Sequence, residues 1–142
     1  MKVLIIIPAY NEEESIEKVI NNLKQNYSQY DYVIINDGSH DHTSEICHKN
    51  KYKIIDLPVN LGLTGAFQTG LKYAYKKGYD YAIQFDADGQ HLPEYIPAMV
   101  DKIEEGYDMV IGSRFVEKPK PRSLRMLGSR VISTAIKITT GV

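Results

Sequence analysis

Val3, Leu4, Ile5, Ile6 and Ile7 form an unbroken apolar run that stops at Pro8. The run lacks the alternation of a half-exposed strand, so it reads as a strand buried on both faces, the central position of a parallel sheet covered by helices. Parallel strands need long crossover connections, usually helical, and the following residues supply them. Asn11 can cap a helix in which Ile16, Val19, Ile20, Leu23 and Tyr27 recur at helical spacing, with Glu12, Glu13 and Glu14 at its positive end. A strand over residues 32–35 follows, then the turn Asn36-Asp37-Gly38-Ser39, a short helix from about Thr43 capped by Asp41, and a more polar strand over 53–57.

The same alternation continues. A loop over 58–65 with Gly62 and Gly65 leads into a helical stripe of Phe67, Leu71, Ala74 and Tyr75 that ends at Gly78. A strand over 81–85 is followed by a helix with Pro93 in its first turn and Ile96, Met99, Val100 and Ile103 on one face, closed by Gly106. A short strand over 109–111 runs into Gly112-Ser113-Arg114. The prolines of Lys118-Pro119-Lys120-Pro121-Arg122 exclude regular helix or central strand there, and the segment reads as a mobile or ligand-gated loop. From Ser123, Leu124, Leu127, Val131, Ala135 and Ile138 share a helical face with no later element to cover it, so the chain is expected to be truncated at its C-terminus. Alternating strands and helices make the fold class α/β, in one domain over residues 1–142.

Charge is unevenly spread along this domain. From Gly112 onward three lysines and four arginines face one glutamate, a balance of +6, against −7 on residues 1–111. A basic end of this kind faces anions. The single cysteine, Cys47, excludes an internal disulfide and reads as a buried structural thiol. No apolar run is long enough to span a bilayer, and the first residues turn polar too soon for a signal peptide, which points to the cytoplasm.

The chemistry concentrates at strand ends. The strand over 81–85 runs into Asp86-Ala87-Asp88-Gly89-Gln90-His91. Taken alone, two carboxylates one residue apart fit either hard-oxygen ligation of a metal or ordinary turn and cap chemistry. Their company favours the first: Pro8-Ala9-Tyr10-Asn11-Glu12 follows the first strand and Asp37-Gly38-Ser39 the second, and in a doubly wound sheet such ends converge on one edge.

Five segments in order resemble the signatures of family 2 glycosyltransferases, closest to the branch of dolichol-phosphate mannose synthase and polyprenyl-phosphate glycosyltransferases. They are Ile7-Pro8-Ala9-Tyr10-Asn11-Glu12-Glu13, Asn36-Asp37-Gly38-Ser39 with Asp41 and Thr43, Asn60-Leu61-Gly62 with Gly65, Phe85 to His91, and Gly112-Ser113-Arg114-Phe115. The resemblance implies a GT-A fold, a mostly parallel sheet flanked by helices, with residues 1–115 as a donor-binding core and 116–142 as a basic loop and helix facing acceptor and membrane. It implies an inverting transfer of a sugar from a UDP or GDP donor, with Mg²⁺ or Mn²⁺, to an acceptor such as polyprenyl phosphate or a glycan, and a peripheral contact with the inner face of the membrane. Carried over by position, Pro8, Ala9, Tyr10, Glu12, Asp37, Gly62, Asp86 and Ala87 would line the nucleotide-sugar site, with Asp37 accepting a base N–H. Asp86, Asp88 and Gln90 would hold the metal. Asp88 and Arg114 would act in catalysis, and Arg114, Arg122, Arg125 and Arg130 would meet the acceptor phosphate. The later catalytic carboxylate and Ser-Gly-Phe-Arg-like motif of family members are absent from residues 1–142, so poor turnover by this chain alone is expected.

Other readings fit less well. Gly65 to Leu71 has glycines at Walker spacing, but Leu71 stands at the lysine position. No G-x-G-x-x-G follows Ile7, and adjacent Ser39-His40-Asp41 cannot adopt triad geometry. His40, His42, His48 and His91 lack zinc spacing, and the tyrosine clusters read as packing between helices and strands. The basic tail lacks interleaved aromatics, which speaks against nucleic acid. A sugar-phosphate nucleotidyltransferase and a non-catalytic nucleotide-sugar-binding module stay open; the former lacks its glycine-rich, Arg-Lys first loop, since Pro8-Ala9-Tyr10-Asn11 stands there.

Overall fold

A computed structural model describes residues 1–88 and 92–112. The chain divides into two compact units, Met1–Ala98 and Met99–Val142. In the first, β1 (Val3–Ala9) is buried at all seven positions. It pairs in parallel with β2 (Asp31–Asn36) on one edge and with β4 (Tyr81–Gln84) on the other, while β3 (Ile54–Asp56) adds to β2, giving the order β3-β2-β1-β4. The central position expected of the apolar run is therefore observed. The connections are α1 (Ile16–Asn26), α2 (Thr43–Lys49) and α3 (Gly62–Lys77). A 3-10 turn, Pro93–Tyr95, opens α4 (Ile96–Glu104), which begins in the first unit and ends in the second. Among the described residues no helix is long and apolar enough to cross a membrane.

Both sheet faces are covered. Leu4, Ile6, Val33 and Ile35 form one core cluster with Ala66 and Ala74 of α3, while the alternate residues Ile5, Ile7 and Ile34 are equally buried on the other face. α1 buries Ile16, Val19, Ile20 and Leu23 and packs with α2, where Cys47 is fully buried. Burial, with Asp56 nearby, pushes that thiol up to about 11, in keeping with a structural role.

Several expectations require correction. The stripe Phe67, Leu71, Ala74 and Tyr75 is only in part the core face of α3: Ala74 is buried and Phe67 packs on the core, but Leu71 and Tyr75 are exposed, and the buried residues are Ala66, Gly70 and Ala74. These small residues recur every four positions and let the helix approach β1 so closely that a Cβ at Gly70 would overlap the Ile6 side chain. Tyr75 and Tyr81 are accordingly surface residues, whereas Tyr73 and Tyr79 do pack on the core. The helix after the first strand begins at Ile16, with Ser15 at its N-cap position, rather than directly after a capping Asn11, and the helix after β3 begins early, at Gly62. Residues 109–111 form no strand; Met109 and Ile111 are exposed, and three apolar residues have too little ladder to hold an extended shape by themselves. The proline-rich loop and the helix expected from Ser123 lie outside the described residues.

The C-terminal ends of the strands are level. Ala9 is opposite Asn36, which is opposite Asp56. The Asn36 side chain donates to Asp56 Oδ1 at 2.6 Å, Ser44 Oγ donates to the same oxygen at 2.8 Å, and His48 Nε2 lies 2.7 Å from Asp56 Oδ2. Burial alone would raise the Asp56 carboxyl, but these hydrogen bonds outweigh it and hold it below its ordinary value.

Two outcomes follow for stability. Alanine at an exposed helical glycine gains up to about 1 kcal/mol, but overpacking costs about 1–3 kcal/mol, so Gly70→Ala should lower the urea-unfolding free energy, and an unchanged or raised value would contradict the close approach. Because the folded Asp56 value is depressed, its contribution is present above the ordinary 3.8 and lost as pH falls through the lower folded value. Asp56→Asn should therefore melt below the wild type at pH 7, with the difference narrowing under acid; a difference independent of pH would refute this.

Candidate functional site

The chain leaves β1 at Ala9, whose carbonyl accepts the Asp37 N–H at 2.8 Å. Tyr10 follows with 44% of its surface exposed, and its ring meets that of His40 edge-on, with centroids 6.3 Å apart at 77°. Asn11 has φ +56°, a left-handed conformation that Asn adopts more readily than most residues. It is not the helix cap expected above. Its N–H donates to Ser39 Oγ at 3.0 Å, and its side-chain oxygen accepts the His40 N–H at 2.8 Å. Ser39 N–H in turn donates to Asn36 Oδ1 at 3.2 Å.

The same two loops are joined further along. Glu12 N–H donates to Thr43 Oγ1 at 2.8 Å, and Glu13 N–H to Asp41 Oδ2 at 3.1 Å. Asp41 Oδ1 accepts from the Thr43 N–H at 2.9 Å and from its hydroxyl, a bond of the turn before α2 rather than the expected cap, since the N-cap position is His42. The Glu13 carboxylate takes the His42 N–H at 3.0 Å and lies 2.8 Å from His42 Nδ1. That backbone bond lowers the Glu13 carboxyl, and the Glu13 hydrogen bond and charge raise the His42 imidazole. Burial works to raise Asp41, yet its bonds to Thr43 and to Glu13 N–H keep it low. Glu12, Glu13 and Glu14 thus lie in the loop before α1, where the Glu12 carbonyl accepts from Ser15 N–H and Ile16 N–H. Glu17 is the acidic residue of the first turn.

At the end of β2, Asp37 is almost fully buried, and its Oδ1 accepts the Leu61 N–H at 2.7 Å. Gly38 has φ +67°, and a Cβ there would sit 2.8 Å from Asn60 N and 2.9 Å from Val59 C. Only glycine lets the loop before α3 pass this close. At the end of β4, Phe85 N–H still donates to Ile6 O at 2.9 Å. Burial keeps a period of two beyond the ladder: Ile83, Phe85 and Ala87 are buried, while Gln84, Asp86 and Asp88 are not. Both carboxylates line the same cleft, although the chain turns at Ala87 and Asp88. Gln84 Nε2 donates to Asp86 Oδ1 at 3.2 Å.

These ends meet in a cleft of about 230 Å³ lined by Pro8, Ala9, Tyr10, Glu12, Asp37, Asp86, Ala87 and Asp88, with Leu63 and Ala66 of α3. It lies where the strand order reverses, since β2 and β3 extend to one side of β1 and β4 to the other; open α/β sheets bind ligands at such a point. A larger hollow of about 590 Å³ shares Glu12 and Asp88, but its other lining residues, Asn11, Glu13, Glu14, Ser15, His40 and Asp41, are all polar. The smaller cleft, which combines an aromatic ring, aliphatic walls and carboxylates, has the surface a nucleotide needs.

Of the residues expected at the site, all those described are gathered in the smaller cleft except Gly62. It opens α3 with φ +74°, and its N–H donates to Asn60 Oδ1 at 3.1 Å. Gln90, His91, Arg114, Arg122, Arg125 and Arg130 lie outside the described residues. Sequence reasoning missed Leu63 and Ala66 as lining residues, because it placed them in a loop and a helix face of unknown direction. The pairing of Asn11, Ser39 and Thr43 left no signal beyond the presence of short polar residues in both loops.

Residues 4–139 match the model of the family described as glycosyl transferase family 2. The chain is 40% identical over 136 residues to the UDP-N-acetylglucosamine–dolichyl-phosphate N-acetylglucosaminyltransferase of Methanococcus voltae, covering 83% of this chain and 53% of that protein. It is 39% identical over 127 residues to the dolichol-phosphate mannosyltransferase of Pyrococcus furiosus, covering 84% and 35%. The chain spans about half the length of most of the curated relatives it matches. Among solved structures, glucosyl-3-phosphoglycerate synthase from Mycobacterium tuberculosis in complex with Mn²⁺ and uridine-diphosphate-glucose superposes with a TM-score of 0.62 at 22% identity, covering 74% of this chain and 40% of that one, a likeness of fold. With the family model matching residues 4–139 and the ends of β1, β2 and β4 in one cleft, this chain belongs to glycosyl transferase family 2.

Proposed function

We propose that the chain is the donor-binding part of a glycosyltransferase that moves a sugar from a UDP or GDP donor to a polyprenyl phosphate, with inversion and a divalent ion. The observation that carries this reading is the convergence of the β1, β2 and β4 ends in one cleft at the switch point of the sheet. The relatives named as dolichyl- and undecaprenyl-phosphate transferases support the acceptor class.

In this reading Tyr10, Pro8 and Ala9 hold the base, and Asp37 accepts one of its N–H groups while keeping the loop before α3 in place through Leu61 N–H. The donor set suits Mg²⁺ or Mn²⁺: both prefer oxygen ligands, and Mg²⁺ is commonly held by one or two carboxylates plus substrate phosphates rather than by an all-protein cage. Asp86 and Asp88, which both line the cleft, provide such a pair. A bound divalent ion would neutralise charge growing on the diphosphate leaving group. The acceptor phosphate oxygen is already ionised near neutral pH, so it attacks the anomeric carbon without a strong general base as the bond to the diphosphate oxygen breaks. Gln90 is proposed as a further metal ligand, Arg114 as a catalytic contact to phosphate, and Arg122, Arg125 and Arg130 as acceptor contacts in a tail facing the membrane.

Titration calorimetry with UDP and GDP, with and without Mn²⁺, tests the site and identifies the base. One nucleotide should bind at least about tenfold more tightly with the ion, as expected of a charge-assisted contact, and Asp88→Asn should remove that gain. Equal binding with and without Mn²⁺ for both nucleotides would defeat the reading. Asp37→Asn keeps an oxygen for Leu61 N–H but puts an amide group toward the base, so it should weaken binding about tenfold or more, the cost of an unsatisfied buried donor. Unchanged affinity would remove Asp37 from base recognition.

A further inference from the structure

We propose that Ser39 and Asn11 are positioning residues that fix Tyr10 and Glu12 in the nucleoside half of the cleft, an inference that rests on the donor-binding reading above. Tyr10 and Glu12 line the cleft, while Asn11 between them turns to the neighbouring loop. Strand pairing ends at Ala9, so the ladder no longer sets the direction of these side chains. For Tyr10 it is set by a reciprocal pair of bonds just after it, Asn11 N–H to Ser39 Oγ and His40 N–H to the Asn11 side-chain oxygen, while Glu12 is held in addition by its N–H to Thr43 Oγ1 at 2.8 Å and by Ser15 Oγ, which donates to its carboxylate at 2.6 Å. The reciprocal pair holds Asn11 at φ +56°, a conformation that most residues leave when released.

The Ser39 anchor is itself tied to the sheet. Its N–H donates to Asn36 Oδ1, and the Asn36 amide donates to Asp56. Asn36 is nearly fully buried and immediately precedes Asp37. One chain of hydrogen bonds therefore runs from the end of β3 through β2 to the backbone of Asn11, immediately after Tyr10. The His40 ring, brought up by the same turn, stands edge-on to the Tyr10 ring and limits its rotation. A tyrosine almost half exposed would otherwise sample several rotamers, and ordering it would fall to the nucleotide.

The test is calorimetry on this chain with UMP and GMP without metal, and with UDP and GDP with Mn²⁺, for the wild type, Ser39→Ala, Ser39→Thr and Asn11→Gly. Glycine at 11 keeps the left-handed backbone but removes the acceptor for His40 N–H. Ser39→Ala and Asn11→Gly should each weaken monophosphate and diphosphate binding by the same factor, about three- to tenfold, the usual effect of one hydrogen bond. Ser39→Thr, which keeps the hydroxyl, should bind as the wild type does, and thermal melts run in parallel should show all four chains folded at the assay temperature. Wild-type affinity in either Ser39→Ala or Asn11→Gly overturns the proposal, as does a loss confined to the metal-dependent gain, or one that persists in Ser39→Thr. A wild-type chain that binds no nucleotide overturns the donor-binding reading itself, and this proposal with it.

Discussion

The two-sided hydrogen-bonded ladder of β1 is the constraint on which the rest depends. Its backbone pairs with β2 along one edge and β4 along the other, and its side chains alternate between two covered faces. A slip of one residue would exchange Leu4 and Ile6 with Ile5 and Ile7 and break both cores together. Register is thus fixed, and so is the point where the ladder ends. Because all pairings are parallel, the ends of β1, β2 and β4 fall on the same edge of the sheet. The meeting of Tyr10, Asp37 and Asp86 is a consequence of that topology rather than of contacts among the three residues.

Beyond the ladder, two different devices carry order into the loops. After β4, Phe85 N–H still bonds to Ile6 O, and Phe85 and Ala87 are buried while Asp86 and Asp88 are not. After β1 and β2 the burial pattern breaks, and the loops are held by bonds to each other: Asn11 with Ser39 and His40, Glu12 with Thr43, Glu13 with Asp41 and His42. Apolar burial is non-directional, whereas these hydrogen bonds specify angles, so the loops after β1 and β2 are set by the more exacting interaction.

Much of this was legible in the sequence, for identifiable reasons. The unbroken run 3–7 could only be a strand buried on both faces, and the polar motifs after three strands had to share an edge once the sheet was parallel. The helix boundaries were less legible. Asn11 has the chemistry of a cap, but that chemistry serves equally to bond a neighbouring loop, and the choice depends on a partner 29 residues away. The face of α3 was misread because large apolar residues were taken to mark the core. Here the small residues Ala66, Gly70 and Ala74 do, since helix and sheet approach too closely for anything larger. Their spacing of four was visible, although a rule that counts hydrophobic bulk passes over glycine.

The charge of the cleft bears independently on what it can accept. Glu12, Asp37, Asp86 and Asp88 all line it, and a nucleoside diphosphate would add negative charge to theirs. Two unit charges about 5–6 Å apart repel by about 3 kcal/mol at an effective dielectric constant of 20, so such a guest meets several opposing interactions of this size. The N-terminus of α3, which carries no acidic residue in its first turn and contributes Leu63 and Ala66 to the wall, offsets at most about 2 kcal/mol. A divalent cation has the missing magnitude, and one that takes two protein carboxylates and completes its shell with phosphate oxygens uses the charge of the guest as part of the site. The carboxylates that would repel the nucleotide alone then favour nucleotide and cation together, so on the proposed reading a divalent ion, beside the phosphate contacts proposed for Arg114, balances the charge of the cleft.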